Sequence, residues 1–440
     1  MKKQKIIIGI IIGCVIFSII LIPLIISQYI INLQNRNAQI LKTDIQRIFN
    51  ANSVDDLGGI FDQSFTDAVS LDYMFYIVNE ITKYYGAFDN VSISSRPNIY
   101  GLYTYTLYLE HAWTTGTIAL NYVTLLVNSF FIGMMKYYNS YLLSQNWSTI
   151  YSEFQNLPGN KSLLIMRDNH TIYQFNTGQK MQVASTFKLY VLEALVNKIK
   201  NDQKITWETK IPILDKYKSL PSGILYQKNN GTLLTLRDLA NYMINISDNT
   251  AADHLIHYLN RSYIENFIPK NYPKPLLTTA ESFKLRWLLN DQDLTKYLEM
   301  NTTEKYNYLE NNISLLNVFD IDLNSVNFTH NIENRSKIEW TFNCTDIYSI
   351  QNKTKNYTST HLNPGLADPN AWSVVSYKGG SDIGVYSMAY SLQAHNGSWF
   401  YYTMIINNYE KFELEYGSYV AGQWGYIAIC SEILAKLALE

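Results

Sequence analysis

The hydrophobic pattern of the chain begins with a long apolar run over residues 6–31, which holds almost no polar positions. An α-helix needs about 20 apolar residues to cross the hydrocarbon core of a bilayer. We therefore predict a single-pass signal anchor over residues 1–32, inserted in the membrane through residues 6–31. Three lysines among the first five residues precede the run, so the positive-inside rule leaves the N-terminus cytoplasmic and residues 33–440 extracytoplasmic.

Two other interpretations of this run fit less well. A cleaved signal peptide has an apolar region of about 7–15 residues followed by a small-residue cleavage site. The run is longer than that and no such site follows it. The segment Ile-Ile-Gly-Cys14 is similar to a lipoprotein cleavage box, but the apolar run continues well past it.

The next pattern is typical of a small α+β domain, which we predict over residues 35–145. Apolar residues at helical spacing predict helices over residues 35–60 and 71–85. The period then shortens to two, with Tyr and β-branched residues, and predicts strands over residues 100–109 and 117–126.

A polar segment with a Pro-Gly step, residues 145–161, predicts a linker before a second domain over residues 150–440. Two short strands at 162–166 and 171–175 should precede a long helix over residues 184–200. The later elements are predicted from the same two periods: a helix at 235–258, strands at 372–377, 384–392 and 400–407, and a final helix at 425–439.

Composition then excludes some classes of protein. The 35 basic and 37 acidic residues give a net charge of −2, so a nucleic-acid-binding surface is not expected. The three cysteines and the histidines show no spacing typical of zinc, and we predict no metal and no cofactor. Two cysteine positions alone do not decide whether Cys344 and Cys430 form a disulfide. The oligomeric state is unknown.

Glycosylation motifs agree with an exported, glycosylated chain, although an Asn-rich sequence also produces them by chance. The motif Asn-x-Ser/Thr occurs at Asn90, Asn146, Asn160, Asn169, Asn230, Asn245, Asn260, Asn301, Asn312, Asn327, Asn334, Asn343, Asn352, Asn356 and Asn396.

The candidate chemistry lies in three short motifs of the second domain. The first, Ser185-Thr-Phe-Lys188, begins a predicted helix, and a spacing of three brings the two side chains to one face. A serine hydroxyl needs an adjacent base to act as a nucleophile, and lysine is a base only when its pKa falls. Taken alone, the motif is weak, since this spacing more often belongs to a surface lysine on an ordinary helix.

The second motif is Ser247-Asp-Asn249, a polar interruption of an apolar predicted helix. Such residues compete for backbone hydrogen bonds, so they indicate either a site or a capped helix break. The third is Lys378-Gly-Gly-Ser381 at the end of an apolar strand, where Gly379 and Gly380 indicate a close approach by a ligand or a plain turn.

In this order the motifs resemble those of the serine β-lactamases and penicillin-binding proteins, Ser-x-x-Lys, Ser-Asp-Asn and Lys-Thr-Gly. The resemblance covers residues 150–440 and extends to residues 243–253 and 278–280, which are similar to class A β-lactamase segments. It implies an α+β fold with a five-stranded antiparallel sheet flanked by helices. Residues 35–145 look like the NTF2/cystatin-type domain of a subfamily that includes hydrolase-like proteins of clavulanic acid clusters.

The resemblance also implies roles for individual residues. Ser185 would be the acylated nucleophile, Lys188 its base, and Ser247 the donor of a proton to the leaving nitrogen. Asn249 would bind the substrate amide and brace Lys188, and Lys378 would hold Lys188 neutral and attract a substrate carboxylate.

The remaining implied substrate contacts come from the third motif. Backbone N–H groups of Ser185 and Ser381 would form the oxyanion hole beside Gly380. Two departures from the family pattern stand out. Gly379 lacks the hydroxyl of Lys-Thr-Gly, for which Ser381 is a substitute, and no Ω-loop Glu is recognisable, since Glu265 reads as an exposed helix residue.

Three hypotheses remain open at this stage. The first is an extracytoplasmic serine hydrolase that takes a small-molecule or peptide acyl donor, namely a β-lactam, amide or ester, through an acyl-enzyme. The second is a penicillin-binding or sensor protein that deacylates slowly or not at all. The third is a DD-peptidase-like cell-wall enzyme.

Overall fold

A computed structural model describes residues 22–322, 326–327, 330–410 and 423–440. Most of the predicted anchor lies outside these residues, and within them no helix is long and apolar enough to cross a membrane. Contacts divide the chain into two compact units, residues 1–150 with 424–436, and residues 151–423 with 437–440.

The first unit packs helices against an antiparallel sheet. Its elements are α1 (Ile22–Phe49), α2 (Gln63–Ala68), α3 (Leu71–Tyr85), β1 (Phe88–Ile93), β2 (Tyr103–Leu109), β3 (Ala112–Leu120), β4 (Val127–Ile132), β5 (Lys136–Tyr137) and α4 (Asn139–Ser144). The strands pair in the order β1-β2-β3-β4, with β5 beside β3. Strand β2 buries Tyr103, Tyr105, Leu107 and Leu109, the alternation expected of a sheet with one face on the core.

The helix predicted over residues 35–60 ends earlier than expected, at Phe49. The Asp56 carboxylate accepts hydrogen bonds from Asn52 N (2.8 Å) and Ser53 N (3.0 Å) and caps a separate short turn. The α+β class of this unit is as predicted, while its likeness to the NTF2/cystatin type stays a prediction.

The second unit contains a helical part and a sheet. Its elements begin with α5 (Trp147–Asn156, which includes the boundary), β6 (Asn160–Arg167), β7 (His170–Phe175), β8 (Met181–Gln182), α6 (Lys188–Asn201), β9 (Lys210–Pro212), β10 (Leu233–Thr235), α7 (Leu236–Asn245), α8 (Asn249–Leu259) and α9 (Arg261–Ile264). They continue with α10 (Thr279–Trp287), α11 (Asp291–Glu299), α12 (Thr302–Asn311), α13 (Ile332–Arg335), β11 (Thr341–Phe342), α14 (Cys344–Thr354), β12 (Val374–Asp382), β13 (Val385–Gln393) and β14 (Trp399–Asn407).

The main sheet of this unit has five antiparallel strands, the number and orientation that the family resemblance implies. Their order is β12-β13-β14-β6-β7. Helix α6 is central to the helical part, because nearly every side chain from Lys188 to Val196 is buried. Strand β12, which carries the third motif, is an edge strand, so one side of its backbone is open to a ligand.

Three predicted elements differ from the structure. The linker predicted at 145–161 holds helix α5, in which Ile150 and Phe154 are fully buried. The helix expected from residue 184 starts with a 3₁₀ turn at Ala184–Phe187. The final helix is α15 (Gln423–Leu437), and its residues 424–436 group with the first unit.

Candidate active site

Ser185 stands in the 3₁₀ turn that precedes α6, half-buried at the wall of a cleft of about 950 Å³. The turn is held on both sides. Val183 N donates to Trp340 O (2.9 Å), and the Thr186 and Ser387 hydroxyls lie 2.6 Å apart. Ala184 adopts a φ of +44°, a conformation unfavourable for a residue with a Cβ. The fold thus holds the Ser185 backbone in one conformation.

Lys188 lies one turn further on and is completely buried. Its Nζ donates to Ser247 O (2.6 Å) and Asn249 Oδ1 (2.7 Å), and lies 3.3 Å from Ser247 Oγ. Burial lowers the pKa of Lys188 to about 7, against the opposing attraction of Asp253 and Asp248. Near neutral pH this amine is therefore available as a base.

The second motif is a break between two helices, so the single helix predicted over residues 235–258 is wrong. Helix α7 ends at Asn245 and α8 begins at Asn249. Between them Ser247 has a φ of +57°, which directs its backbone oxygen and hydroxyl to Lys188. The break is what presents Ser247 and Asn249 side by side.

Asp248 stabilises this break through hydrogen bonds that both of its carboxylate oxygens accept. One carboxylate oxygen accepts from Ala251 N (2.8 Å) and caps α8, and the other accepts from Ile224 N (2.7 Å) and Leu225 N (2.9 Å). Gly223 must be glycine there, since its φ is +94° and a Cβ would lie 2.5 Å from Asp248 Cα. Asp248 is therefore a structural residue, buried away from the cleft.

Lys378 approaches the same hydroxyl from the sheet. The Lys378 Nζ donates to Ser247 Oγ at 3.0 Å and also to Gly379 O. Burial and the nearby Lys188 together lower the pKa of Lys378 well below its ordinary value. The expectation that Lys378 keeps Lys188 neutral needs correction, because burial is the main cause at Lys188.

Gly380 is needed where β12 passes the Ser185 turn. A Cβ at this position would lie 2.8 Å from Ser185 N and closer still to Val183 O. Neither is the end of a flexible side chain, so the contact has no easy relief. The glycine thereby brings the backbone of β12 against that of Ser185.

Replacing Gly380 by alanine is expected to lower the free energy of unfolding by about 1–3 kcal/mol, the range for overpacking a tight contact. It should also slow acylation, because the strand or the Ser185 turn must shift. Thermal unfolding and acylation rates measure the two effects. Gly178→Ala is the matched control, since a Cβ there meets nothing within 4 Å. Equal behaviour of the two variants would contradict this account of Gly380.

Tyr377 is a cleft residue that the sequence reasoning did not identify. Its hydroxyl lies where a side chain on Gly379 would begin, and its Cζ would be 2.8 Å from a Cβ there. The ring stacks on Tyr390 with centroids 4.4 Å apart, which holds the phenol in place. The family pattern has threonine at the position of Gly379. The Tyr377 phenol therefore places a hydroxyl near the position of the missing threonine hydroxyl.

A buried charge cluster borders the cleft beyond Ser381. Arg286 lies 2.8 Å from an Asp382 carboxylate oxygen and 3.5 Å from one of Glu339. Burial raises the pKa of Glu339 well above its ordinary value. At Asp382 burial acts in the same direction, but Arg286 and the hydrogen bonds with Glu339 and Ile383 N together keep that pKa low. Asp382 is thus an anion already paired with a cation.

Glu265 is buried, so its prediction as an exposed helix residue is wrong. Its carboxylate accepts from Leu276 N (2.8 Å) and from Tyr306 OH (2.5 Å), and Lys274 lies 3.4 Å away. These contacts connect the loop at Leu276 to the C-terminal end of α9. Glu265 does not line the cleft. Among the described residues that line the cleft, Asp382 alone carries a carboxylate.

All eight residues that the motifs predicted therefore lie at or directly behind the wall of this cleft. They are Ser185, Lys188, Ser247, Asn249, Lys378, Gly379, Gly380 and Ser381, with Lys188 buried behind the wall. The rest of the wall is largely apolar or aromatic, from Ile244, Ile246, Phe283, Trp287, Trp340, Tyr377, Ile383 and Tyr386. An apolar cleft with a few convergent polar groups is typical of a small-molecule site.

Comparison with known proteins adds a family match. Residues 148–307 match a family model described as a beta-lactamase enzyme family. No curated protein sequence matches the chain.

The solved structures that match this chain include PBP-A, at 14% identity and a TM-score of 0.42, covering 66% of this chain and 94% of PBP-A. The β-lactamase of Sphaerobacter thermophilus is 16% identical with a TM-score of 0.41, covering 67% of this chain and 98% of its own. That of Burkholderia phymatum is 13% identical with a TM-score of 0.42, covering 67% and 97%.

Proposed function

We propose that the domain containing residues 148–307, which match a model of a beta-lactamase enzyme family, acylates itself on Ser185. The acyl donor would be a β-lactam, an amide or an ester. One observation carries the proposal: the Ser247 hydroxyl lies between the amines of Lys188 and Lys378, at 3.3 Å and 3.0 Å, beside Ser185 in one cleft.

In the proposed acylation the Ser185 hydroxyl loses its proton to neutral Lys188 while its oxygen bonds to the acyl carbon. The charge that develops on the acyl oxygen would be met by the N–H groups of Ser185 and Ser381, each worth about 3–4 kcal/mol in comparable sites. When the bond to the leaving nitrogen breaks, Ser247 delivers the proton taken up by Lys188. A short relay is available because Ser247 touches both lysines.

Asn249 and Lys378 have supporting roles in this scheme. Asn249 Oδ1 holds Lys188 Nζ at 2.7 Å, and its amide nitrogen donates to Leu220 O at 3.1 Å. This arrangement fixes the direction of the lysine. Lys378, when protonated, would attract a carboxylate on the donor.

Acylation is expected to depend on pH through Lys188. Only the neutral amine accepts a proton, so the rate should rise with pH to a plateau above about 7, the pKa that burial sets for Lys188. Second-order acylation rates between pH 5 and 9 measure it, with thermal unfolding at each pH as the control. A flat profile would contradict the assignment of Lys188.

Tyr377 is proposed to bind the donor's carboxylate through its phenol. Tyr377→Phe should raise KM for carboxylate-bearing donors about 10–100-fold, because a hydrogen bond to a charged group is worth about 1.5–3 kcal/mol. The matched control is an ester donor without a carboxylate, for which KM should hardly change. Equal changes with both donors would assign Tyr377 a packing role only.

A second candidate function is a protein that is acylated and deacylates slowly. It is favoured because Asp382 is the one carboxylate among the described residues that line the cleft. This carboxylate already forms an ion pair with Arg286 at 2.8 Å. Hydrolysis of an acyl-enzyme needs a base for the incoming water, and a paired carboxylate is a weak one. In this case the acyl group would persist on Ser185.

For the whole chain we propose anchoring in a membrane through the apolar run at residues 6–31, with the N-terminus cytoplasmic and the hydrolase domain outside. The run is long enough to span, and the lysines that precede it favour this orientation. Flotation of the full chain with lipid vesicles tests the anchoring.

A further inference from the structure

Two loops at one end of the first unit expose large apolar side chains. The loop between β1 and β2 carries Ile99 and Tyr100, which are 91% and 80% exposed. The loop between β3 and β4 carries Tyr122 and Val123, at 62% and 92%. Single exposed apolar residues are common on soluble proteins, but four on adjacent loop tips form a patch.

The strand register places both loops at the same end of the sheet. Ile93 pairs with Tyr105, Tyr103 with Ile118, and Leu120 with Val127, so β1 and β3 both end where these loops begin. The loops also touch, because a Cβ on Gly101 would lie 3.4 Å from the Tyr122 hydroxyl. We call Ile99, Tyr100, Tyr122 and Val123 the tip patch.

Helix α1 leaves the domain at this same end. The Tyr103 hydroxyl, at the base of the first loop, donates to Gln34 O (3.3 Å), while the buried part of α1 begins with Asn37 and Ala38. Residues 22–33 therefore continue beyond the base of the first loop by about 18 Å of helix at 1.5 Å per residue. Along this stretch Ile26, Tyr29 and Ile30 are exposed.

The sequence of α1 becomes polar at about the same position along the helix axis as the two loops. The apolar run ends at residue 31, one turn of helix before Gln34, and is followed by Asn, Gln and Arg. Arg96 is the single charged residue in the two loops and lines a groove with Ile26 and Ile30. Tyrosine and arginine beside an apolar helix are typical of the boundary between lipid head groups and acyl chains.

We propose that the tip patch rests in the interfacial layer of a lipid bilayer, next to the point where α1 enters it. Arg96 would then meet lipid phosphates, and the patch would fix the orientation of the first unit on the membrane. The proposal rests on the anchoring proposed for residues 6–31. It commits to a bilayer rather than a second copy of the chain because the two loops and the apolar end of α1 face in the same direction.

The experiment uses the full chain in vesicles of phosphatidylcholine and phosphatidylglycerol, with Cys14 replaced by serine. Spin labels are attached to Ile99→Cys and to Val123→Cys, both nearly fully exposed positions, while Cys344 and Cys430 are buried. The matched control is Glu110→Cys, at the β2–β3 turn on the opposite end of the same sheet. Collisions with oxygen and with a water-soluble nickel chelate report the environment of each label.

We expect labels at 99 and 123 to collide several-fold less with nickel than the label at 110, and more with oxygen. Equal nickel accessibility at all three positions in protein that floats with the vesicles would overturn the proposal while leaving the anchoring intact. Failure to float would overturn both. Protection accompanied by spin–spin broadening that grows with protein-to-lipid ratio would assign the patch to a contact between copies and also overturn the proposal.

Discussion

Replacing Ser185 by alanine is expected to abolish covalent labelling of the protein by a fluorescent penicillin. The hydroxyl is the proposed site of the acyl bond, and Ser185 lines the same cleft as Ser247, whose hydroxyl lies 3.3 Å from Lys188 Nζ. The measurement is in-gel fluorescence of the purified full chain over time. Because Ser185 is only half-buried in a turn held by its neighbours, the alanine variant should fold normally.

The control for this prediction is Ser314→Ala, an exposed serine outside the cleft, which should label as the wild type does. Label that survives in the Ser185 variant would refute the assignment of the nucleophile. The time course in the wild type separates the two candidate functions. Label lost within minutes indicates turnover, and label that persists for hours indicates a slow or non-deacylating protein.

Replacing Lys188 by methionine is expected to slow acylation by about 10²–10⁴-fold, the usual contribution of a general base. Methionine keeps much of the side-chain volume but removes the proton acceptor. It also leaves Ser247 O and Asn249 Oδ1 without their shared donor, so the free energy of unfolding should fall by about 1–3 kcal/mol. Stopped-flow acylation and chemical denaturation measure the two effects separately.

A purely structural role for Lys188 would give a different result. The variant would then lose stability while the fraction that stays folded labels at the wild-type rate. If Lys188 is the base, the residual rate of the methionine variant should no longer change with pH around 7, since the group with that pKa has been removed. Retention of the wild-type pH profile would contradict the assignment.

The sheet of the second unit was predictable because its strands carry a local signal. The first half of β12 and most of β13 and β14 consist of apolar, β-branched or aromatic residues. The observed β13 and β14 agree with the prediction to within one residue at each end, whereas β12 continues beyond the predicted end at residue 377 to Asp382. Their order in the sheet was not predicted, since pairing between β14 and β6 joins residues far apart in the chain.

The break between α7 and α8 was not predictable from periodicity. The apolar positions continue in phase on both sides, so the pattern predicts one helix over residues 235–258. The chain turns because Asp248 binds backbone N–H groups of the loop at Ile224 and Leu225, more than 20 positions away. A contact of that range leaves no periodic signal in the sequence.

Two further errors have the same origin. The segment at 145–161 looked like a linker because most of its residues are polar, yet Ile150 and Phe154 suffice to bury one face of a helix. Glu265 looked exposed because a lone carboxylate usually is. It is buried because Leu276 N and the Tyr306 hydroxyl, both brought in by other elements, satisfy it.

The sequence alone predicted which residues could carry out the chemistry, because functional groups and short spacings are local features. These residues are a serine with a lysine three positions later, a Ser-Asp-Asn and a Lys-Gly-Gly. Their state depended on the folded protein. The pKa of Lys188 falls to about 7 because packing removes water from its amine, and the pKa of Lys378 falls because burial and Lys188 act on it together. Desolvation and charge–charge repulsion are set by distances in three dimensions. The Tyr377 hydroxyl beside Gly379 likewise became visible only once the strand was folded.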